Sequence, residues 1–237
     1  MKRTFILAIA AVCNLANAAV LFDNGPVVNA QKKSVIAVGE TTTGLGANGP
    51  LYVADDFSIE AGKSWNVTSI DFFAYQTNAA GFTFGNANWS IVKDDVNGAV
   101  VASGTTAVTN GGLVGYRVSS SQQNATTRPI YDLNADIADQ KLDAGNYWLR
   151  WNLTGTLSSG PWVAVTSDNR PGNAAQKTSV NGIFNTWQES STKRKHDLPF
   201  VLNGNVVAVP EPQTYALMLG GLALLAGAAR RRGSKQA

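Results

Sequence analysis

Tyr147-Trp148-Leu149-Arg150-Trp151-Asn152-Leu153 is the stretch that decides the fold. Tyr147, Leu149, Trp151 and Leu153 alternate with Trp148, Arg150 and Asn152, and a period of two sets an apolar side against a mixed one. A helix would need apolar residues at spacings of three and four. Because Trp148 and Trp151 differ in parity, an unbulged strand buries Trp151 in a core and leaves Trp148 on the opposite face. The same alternation recurs upstream, where Ile70, Phe72 and Ala74 share one side and Asp71, Phe73 and Tyr75 the other.

Working outward, further runs rich in Val, Ile, Thr and aromatic residues cover 51–57, 65–75, 89–93, 99–103, 115–119, 128–133, 162–165 and 205–209. Gly, Asn, Asp and Ser clusters separate them, the pattern of an antiparallel sandwich. Asp94-Asp95-Val96-Asn97-Gly98 predicts a hairpin turn, since Asn-Gly accepts the positive φ of tight turns. Leu142-Asp143-Ala144-Gly145 predicts a turn into the aromatic strand. No linker and no fixed-period repeat divides this region, so residues 19–208 read as one all-β domain.

The chain has 237 residues, 44% apolar and 15% charged, enough to build a full core with fewer charges than usual. Its net charge of +3 comes from the ends: residues 19–209 hold 13 Lys and Arg against 15 Asp and Glu. A basic face for nucleic acid thereby loses its main support, and no nucleic-acid partner is expected.

Lys2 and Arg3 precede the apolar run Phe5 to Val12, and Ala16-Asn17-Ala18 is a small-x-small cleavage pattern. Residues 1–18 therefore read as a signal helix, with cleavage between Ala18 and Ala19 removing Cys13, the one cysteine. At the other end Pro210-Glu211-Pro212 interrupts any regular element. The uncharged stretch 215–229 then predicts a hydrophobic helix across a membrane, and Arg230, Arg231 and Arg232 hold its far side in the cytoplasm. Both ends place the domain outside the inner membrane.

Pro-Glu-Pro, a short Leu/Gly/Ala-rich span and a terminal Arg cluster, in that order over residues 209–237, resemble the PEP-CTERM sorting tail. The resemblance implies passage through the inner membrane of a Gram-negative bacterium and recognition by an exosortase. It further implies delivery to the cell surface or an extracellular polysaccharide matrix. A second resemblance, over about residues 50–205, rests on Val53-Ala54-Asp55-Asp56-Phe57, Ile70-Asp71-Phe72-Phe73-Ala74-Tyr75-Gln76, Ala144-Gly145-Asn146-Tyr147-Trp148-Leu149 and Ser159-Gly160-Pro161-Trp162. These phrases look like those of secreted bacterial β-sandwich proteins that bear such tails, and they imply a jelly-roll-like sandwich with no activity attached.

Chemistry is sparse. His196 is the one histidine, set in Thr192-Lys193-Arg194-Lys195-His196-Asp197, which reads as a solvated basic loop. Nucleophile activation and a zinc site, which needs several His or Cys ligands, find no support there. Carboxylates without a recognisable motif, such as Asp55-Asp56, leave a secreted hydrolase as a second alternative. Calcium is the ion that Asp94, Asp95 and Asn97 would hold, through oxygen ligands. Trp148, on the mixed side of its strand, and Trp187, on an apparent loop, are the aromatic platforms on which a sugar ring could stack. The expectation is an exported, non-enzymatic surface or matrix protein, structural or associated with exopolysaccharide. The first alternative is a carbohydrate-binding module assisted by calcium.

Overall fold

The computed structural model describes residues 19–180 and 182–208. Its strands are β1 (Ala19–Asp23), β2 (Lys33–Val35), β3 (Leu45–Gly46), β4 (Tyr52–Tyr75), β5 (Phe84–Lys93), β6 (Val100–Ala107), β7 (Thr109–Val118), β8 (Pro129–Gly155), β9 (Trp162–Val163), β10 (Ala175–Lys177), β11 (Asn185–Thr186) and β12 (Phe200–Ala208). The described residues contain no helix, and all pairings are antiparallel except that of β2 with β7. The signal helix and the hydrophobic helix at 215–229 lie outside the described residues.

One hydrogen-bonded sheet makes both layers of the domain. β4 and β8, at 24 and 27 residues, pair along nearly their whole lengths, from Val53 with Trp151 to Tyr75 with Ile130. Their register breaks between Ile59 and Ser64, opposite Gly145 and Asp143. Gly62 at φ +80° and Gly145 at φ +153° lie at this break, where backbone angles costly for other residues let the strand pair bend. Beyond the bend, β12 and β1 extend one leaf and β7 covers its other edge. Before it, β10 joins one side of β4, and β5 and β6 extend the second leaf from β8.

The leaves close on each other through aromatic rings. Trp151 of the second leaf lies 5.7 Å from Phe72 and 5.9 Å from Phe200 of the first, centroid to centroid. Tyr147, Leu149, Trp151 and Leu153 are all buried in this cluster, as the alternation requires. Two smaller clusters cover outer faces: Phe73, Tyr75, Ile130 and Ala164 on the first leaf, and Ala54, Ala175 and Phe184 on the second.

The structure corrects two boundaries. Leu142 to Gly145 does not reverse the chain, because β8 continues through it, bent, with Asp143 opposite Ser64 and Gly145 opposite Ile59. The runs 51–57 and 65–75 likewise belong to one strand. A glycine that bends a strand and one that ends it look alike in sequence, and long-range pairing decides between them.

Candidate functional site

Four strands build the outer face of the second leaf. Tyr52 comes from the start of β4, Asn152 from β8, Asn88 and Ser90 from β5, and Ser103 and Thr105 from β6. Tyr52, Asn152, Asn88, Ser90 and Ser103 each stand next to a core residue of opposite parity: Val53, Trp151, Trp89, Ile91 and Ala102 point inward. A shallow groove of about 380 Å³ is lined by Tyr52, Asn88, Ser90, Ser103, Gly104 and Thr105. Gly104 is required by close approach, since a Cβ there would sit 2.9 Å from the Trp89 indole.

Across the groove runs a ladder of uncharged polar groups. The Thr105 hydroxyl donates to Asn88 Oδ1 at 2.7 Å, Asn88 Nδ2 donates to Asn152 Oδ1 at 2.7 Å, and Asn152 Nδ2 donates to the Gly49 carbonyl at 2.8 Å. These bonds fix the amide orientations, yet an amide has two N–H donors and two acceptor lone pairs. Asn88 thus keeps one donor and one acceptor for a further partner. Beside it the Tyr52 ring carries Lys177 Nζ at 4.5 Å from its centroid. An aromatic face next to oriented amides and hydroxyls is suited to a polyol.

The expected ligand residues fare unevenly. Trp148 is on the same outer face but half-buried, packed with Tyr52 and Val96 against the Phe184 cluster. Trp187 is also half-buried, packed on the main core with its ring 6.2 Å from that of His196. The two indoles therefore belong to different clusters. Asp94, Asp95 and Asn97 lie in the expected hairpin turn, with Lys93 N donating to the Ala99 carbonyl at 3.1 Å and Asn97 N to Asp95 Oδ1 at 2.7 Å, but the positive φ falls at Asp94 (+66°) and not at Asn97-Gly98. The Asn97 side chain exchanges hydrogen bonds with the Phe184 backbone at 2.9 and 3.0 Å. Carbonyls of this turn face Arg150, whose Nε donates to Val96 O at 2.6 Å. Among the described residues no three His, Cys, Asp or Glu side chains gather as a metal-binding group. Signal cleavage at Ala18 and the tail residues Pro210, Glu211, Pro212, Arg230, Arg231 and Arg232 lie outside the described residues, although Ala19 itself opens β1.

His196 is not in a solvated loop. It is fully buried, and its Nε2 meets Glu40 Oε1 at 3.0 Å; Arg194 Nη1 reaches the same oxygen at 3.2 Å. The segment bridges Pro171, and backbone bonds hold it so that Lys193, Arg194 and Lys195 face solvent while His196 turns in. The decisive partner lies 156 positions away, so the local basic run gives no sign of it.

Close by, Thr41 to Thr43 is clamped between opposite charges. Glu189 accepts from Thr41 Oγ1 and Thr42 N, both at 3.1 Å, while the buried Arg117 donates to the carbonyls of Thr42 and Thr43 at 3.0 and 2.9 Å. Burial opposes ionisation of Glu189, but its hydrogen bonds from Thr42 and Ser191 prevail and hold its pKa at about 2. Desolvation lowers Arg117 to about 10. Asp55, turned into the core, is pushed well above the usual carboxylate range by burial, although Leu198 N and Asp56 N donate to it. Asp132 is raised to about 6 by desolvation and then by Asp71, whose oxygens take Asn134 and Asn203. These groups brace the fold.

Residues 208–232 match the family model described as PEP-CTERM protein-sorting motif. The chain is therefore an exported protein sorted by exosortase, made as a precursor anchored in the membrane through its C-terminal tail. No curated protein matches the chain. Among the described residues no helix is long and apolar enough to cross a membrane.

The groove residues Tyr52, Asn88, Ser103 and Thr105, and Asn152 behind Asn88, were missed by sequence reasoning. One signal existed. Asparagine is depleted in strands, yet Asn88 and Asn152 occupy outward positions of two apolar strands that prove to be neighbours.

Proposed function

We propose that this is a non-enzymatic cell-surface or extracellular-matrix protein that holds exopolysaccharide on the outer face of its second leaf. The observation that carries the reading is the Thr105–Asn88–Asn152 ladder beside Tyr52, an oriented row of neutral donors and acceptors next to an aromatic ring. Hydroxyl-rich chains are recognised by such pairs of apolar face and fixed polar groups. The sorting motif supports the setting, because it directs the protein out of the cell. The perturbed carboxylates support a non-enzymatic role: Asp55 and Glu189 are taken up by backbone and hydroxyl donors inside the fold. Tyr52 and Asn88 thus replace Trp148 and Trp187 as the contacts we assign to sugar.

Affinity electrophoresis of the exported protein in gels containing purified matrix polysaccharide tests this. Retardation should fall about tenfold in Tyr52→Ala and Asn88→Ala and persist in Trp187→Phe. Equal retardation of all four forms would refute the groove, and release of reducing ends during incubation would favour the hydrolase alternative.

A further inference from the structure

β6 is the outermost strand of the second leaf: it pairs with β5 on one side, and among the described residues nothing pairs with its other edge. Such an edge presents unpaired N–H and C=O groups, and natural sheets guard it with charge, proline or bulges. Here the guard is thin. No charged residue and no proline occurs between Asp95 and Arg117, and the strand itself reads Val-Val-Ala-Ser-Gly-Thr-Thr-Ala. A register shift leaves Val101 without a partner on β5, as a bulge, so the regular portion is Ala102 to Ala107. Val100 and Val101 are exposed at 55% and 46%. By contrast, the opposite edge strand, β1, is short, irregular after Val20 and ends on Asp23.

We infer that a second copy of this chain pairs with β6, antiparallel, continuing the second leaf from one molecule into the next. A strand edge is self-complementary under a two-fold axis, which places the same patch on both partners. Centring that axis on Gly104 sets Ser103 opposite the partner's Thr105, an uncharged hydroxyl pair of the kind that favours cross-strand contact. Like charges, which would oppose a self-pairing edge, are missing from the whole segment. Ser103, Gly104 and Thr105 also form the rim of the groove, so pairing would join two grooves into one face, and the inference holds whether or not that groove takes sugar.

Cross-linking of the full chain on the cells that export it decides the matter. In a Cys13→Ser background, Ser103→Cys should be joined to a second copy by a short bismaleimide, since diagonal neighbours across two strands lie about 7 to 8 Å apart. Val207→Cys, exposed on β12 of the other leaf next to the edge strand β1, should label with a monofunctional maleimide but stay monomeric. Adding Val101→Lys and Ala107→Lys to Ser103→Cys should reduce the cross-linked dimer at least tenfold while labelling is unchanged. The inference is overturned if the thiol of the Ser103→Cys variant labels yet gives no dimer, if Val207→Cys cross-links equally, or if the lysines have no effect. Loss of polysaccharide binding alone leaves this readout untouched.

Discussion

At the residue scale, the parity of two tryptophans gives the sharpest test. Trp151 is fully buried between the leaves, so Trp151→Ala leaves a cavity and should cost on the order of 3 to 5 kcal/mol. Trp148 is covered on one side by Phe184 and its neighbours, and Trp148→Ala should cost roughly 1 to 2 kcal/mol. Denaturant unfolding of both variants measures the inequality; equal losses would contradict the packing. Glu189 supplies a pH test. Its folded pKa of about 2 lies below the ordinary 4.5, so its stabilisation is complete above that ordinary value and is lost as pH falls toward 2. Glu189→Gln should unfold more readily at pH 6, by about 1 to 3 kcal/mol, and lose less than the parent on going to pH 3. Asp132 has the opposite sign. Raised to about 6, it favours the fold when protonated, and stability declines as pH climbs from about 4 through that value. Asp132→Asn should match the parent at pH 4 and exceed it at pH 8, by on the order of 1 kcal/mol once screening is allowed for. Thermal melts at the two pH values check it.

At the element scale, the β4–β8 pair governs the architecture. Its two glycines at the bend let one pair of strands serve both leaves, so disturbing the bend disturbs everything attached to it. Gly62→Val places a β-branched residue at φ +80° with no steric contact to blame. The loss, about 1 to 3 kcal/mol, would thus be a backbone effect, visible as a lowered melting midpoint with an unchanged denaturant slope. Gly104→Val on β6 should cost a similar amount for another reason, since its side chain must displace the Trp89 indole. The buried clamp on Thr41 to Thr43 is an element of the same kind. His196 with Glu40, and Glu189 opposite Arg117, tie the Ile36–Gly44 loop to the segment 189–196 through contacts that cross more than 140 positions.

At the scale of the whole molecule, the β domain and the sorting motif adjoin in sequence. β1 begins at Ala19 and β12 ends at Ala208, and Ala19 pairs with Gly204, so both ends of the fold emerge along one edge. The sorting motif that starts at residue 208 follows directly. Replacing Pro210, Glu211 and Pro212 with alanine should hold the precursor in the inner membrane while leaving the domain folded, because the replaced positions follow the last strand, β12, in sequence. Membrane fractionation follows this, and intact mass of the released parent should lack Arg230 to Arg232. A released form ending at Ala237 would contradict processing of the tail.

Alternation in Tyr147 to Leu153 and Ile70 to Tyr75 was sufficient, from the sequence, to establish an all-β antiparallel domain, the buried side of its central strands and the inward place of Trp151. Order along the last 29 residues sufficed for the sorting tail, because such a motif is carried by the sequence of residues itself. Such information is local, and a periodicity or motif needs no knowledge of distant partners. The inward turn of His196, the bend in place of a turn at Gly145 and the groove between Tyr52 and Thr105 were decided by tertiary structure alone. Each depends on which strands become neighbours, and that follows from burying one continuous core, a property of the whole chain and of no segment within it.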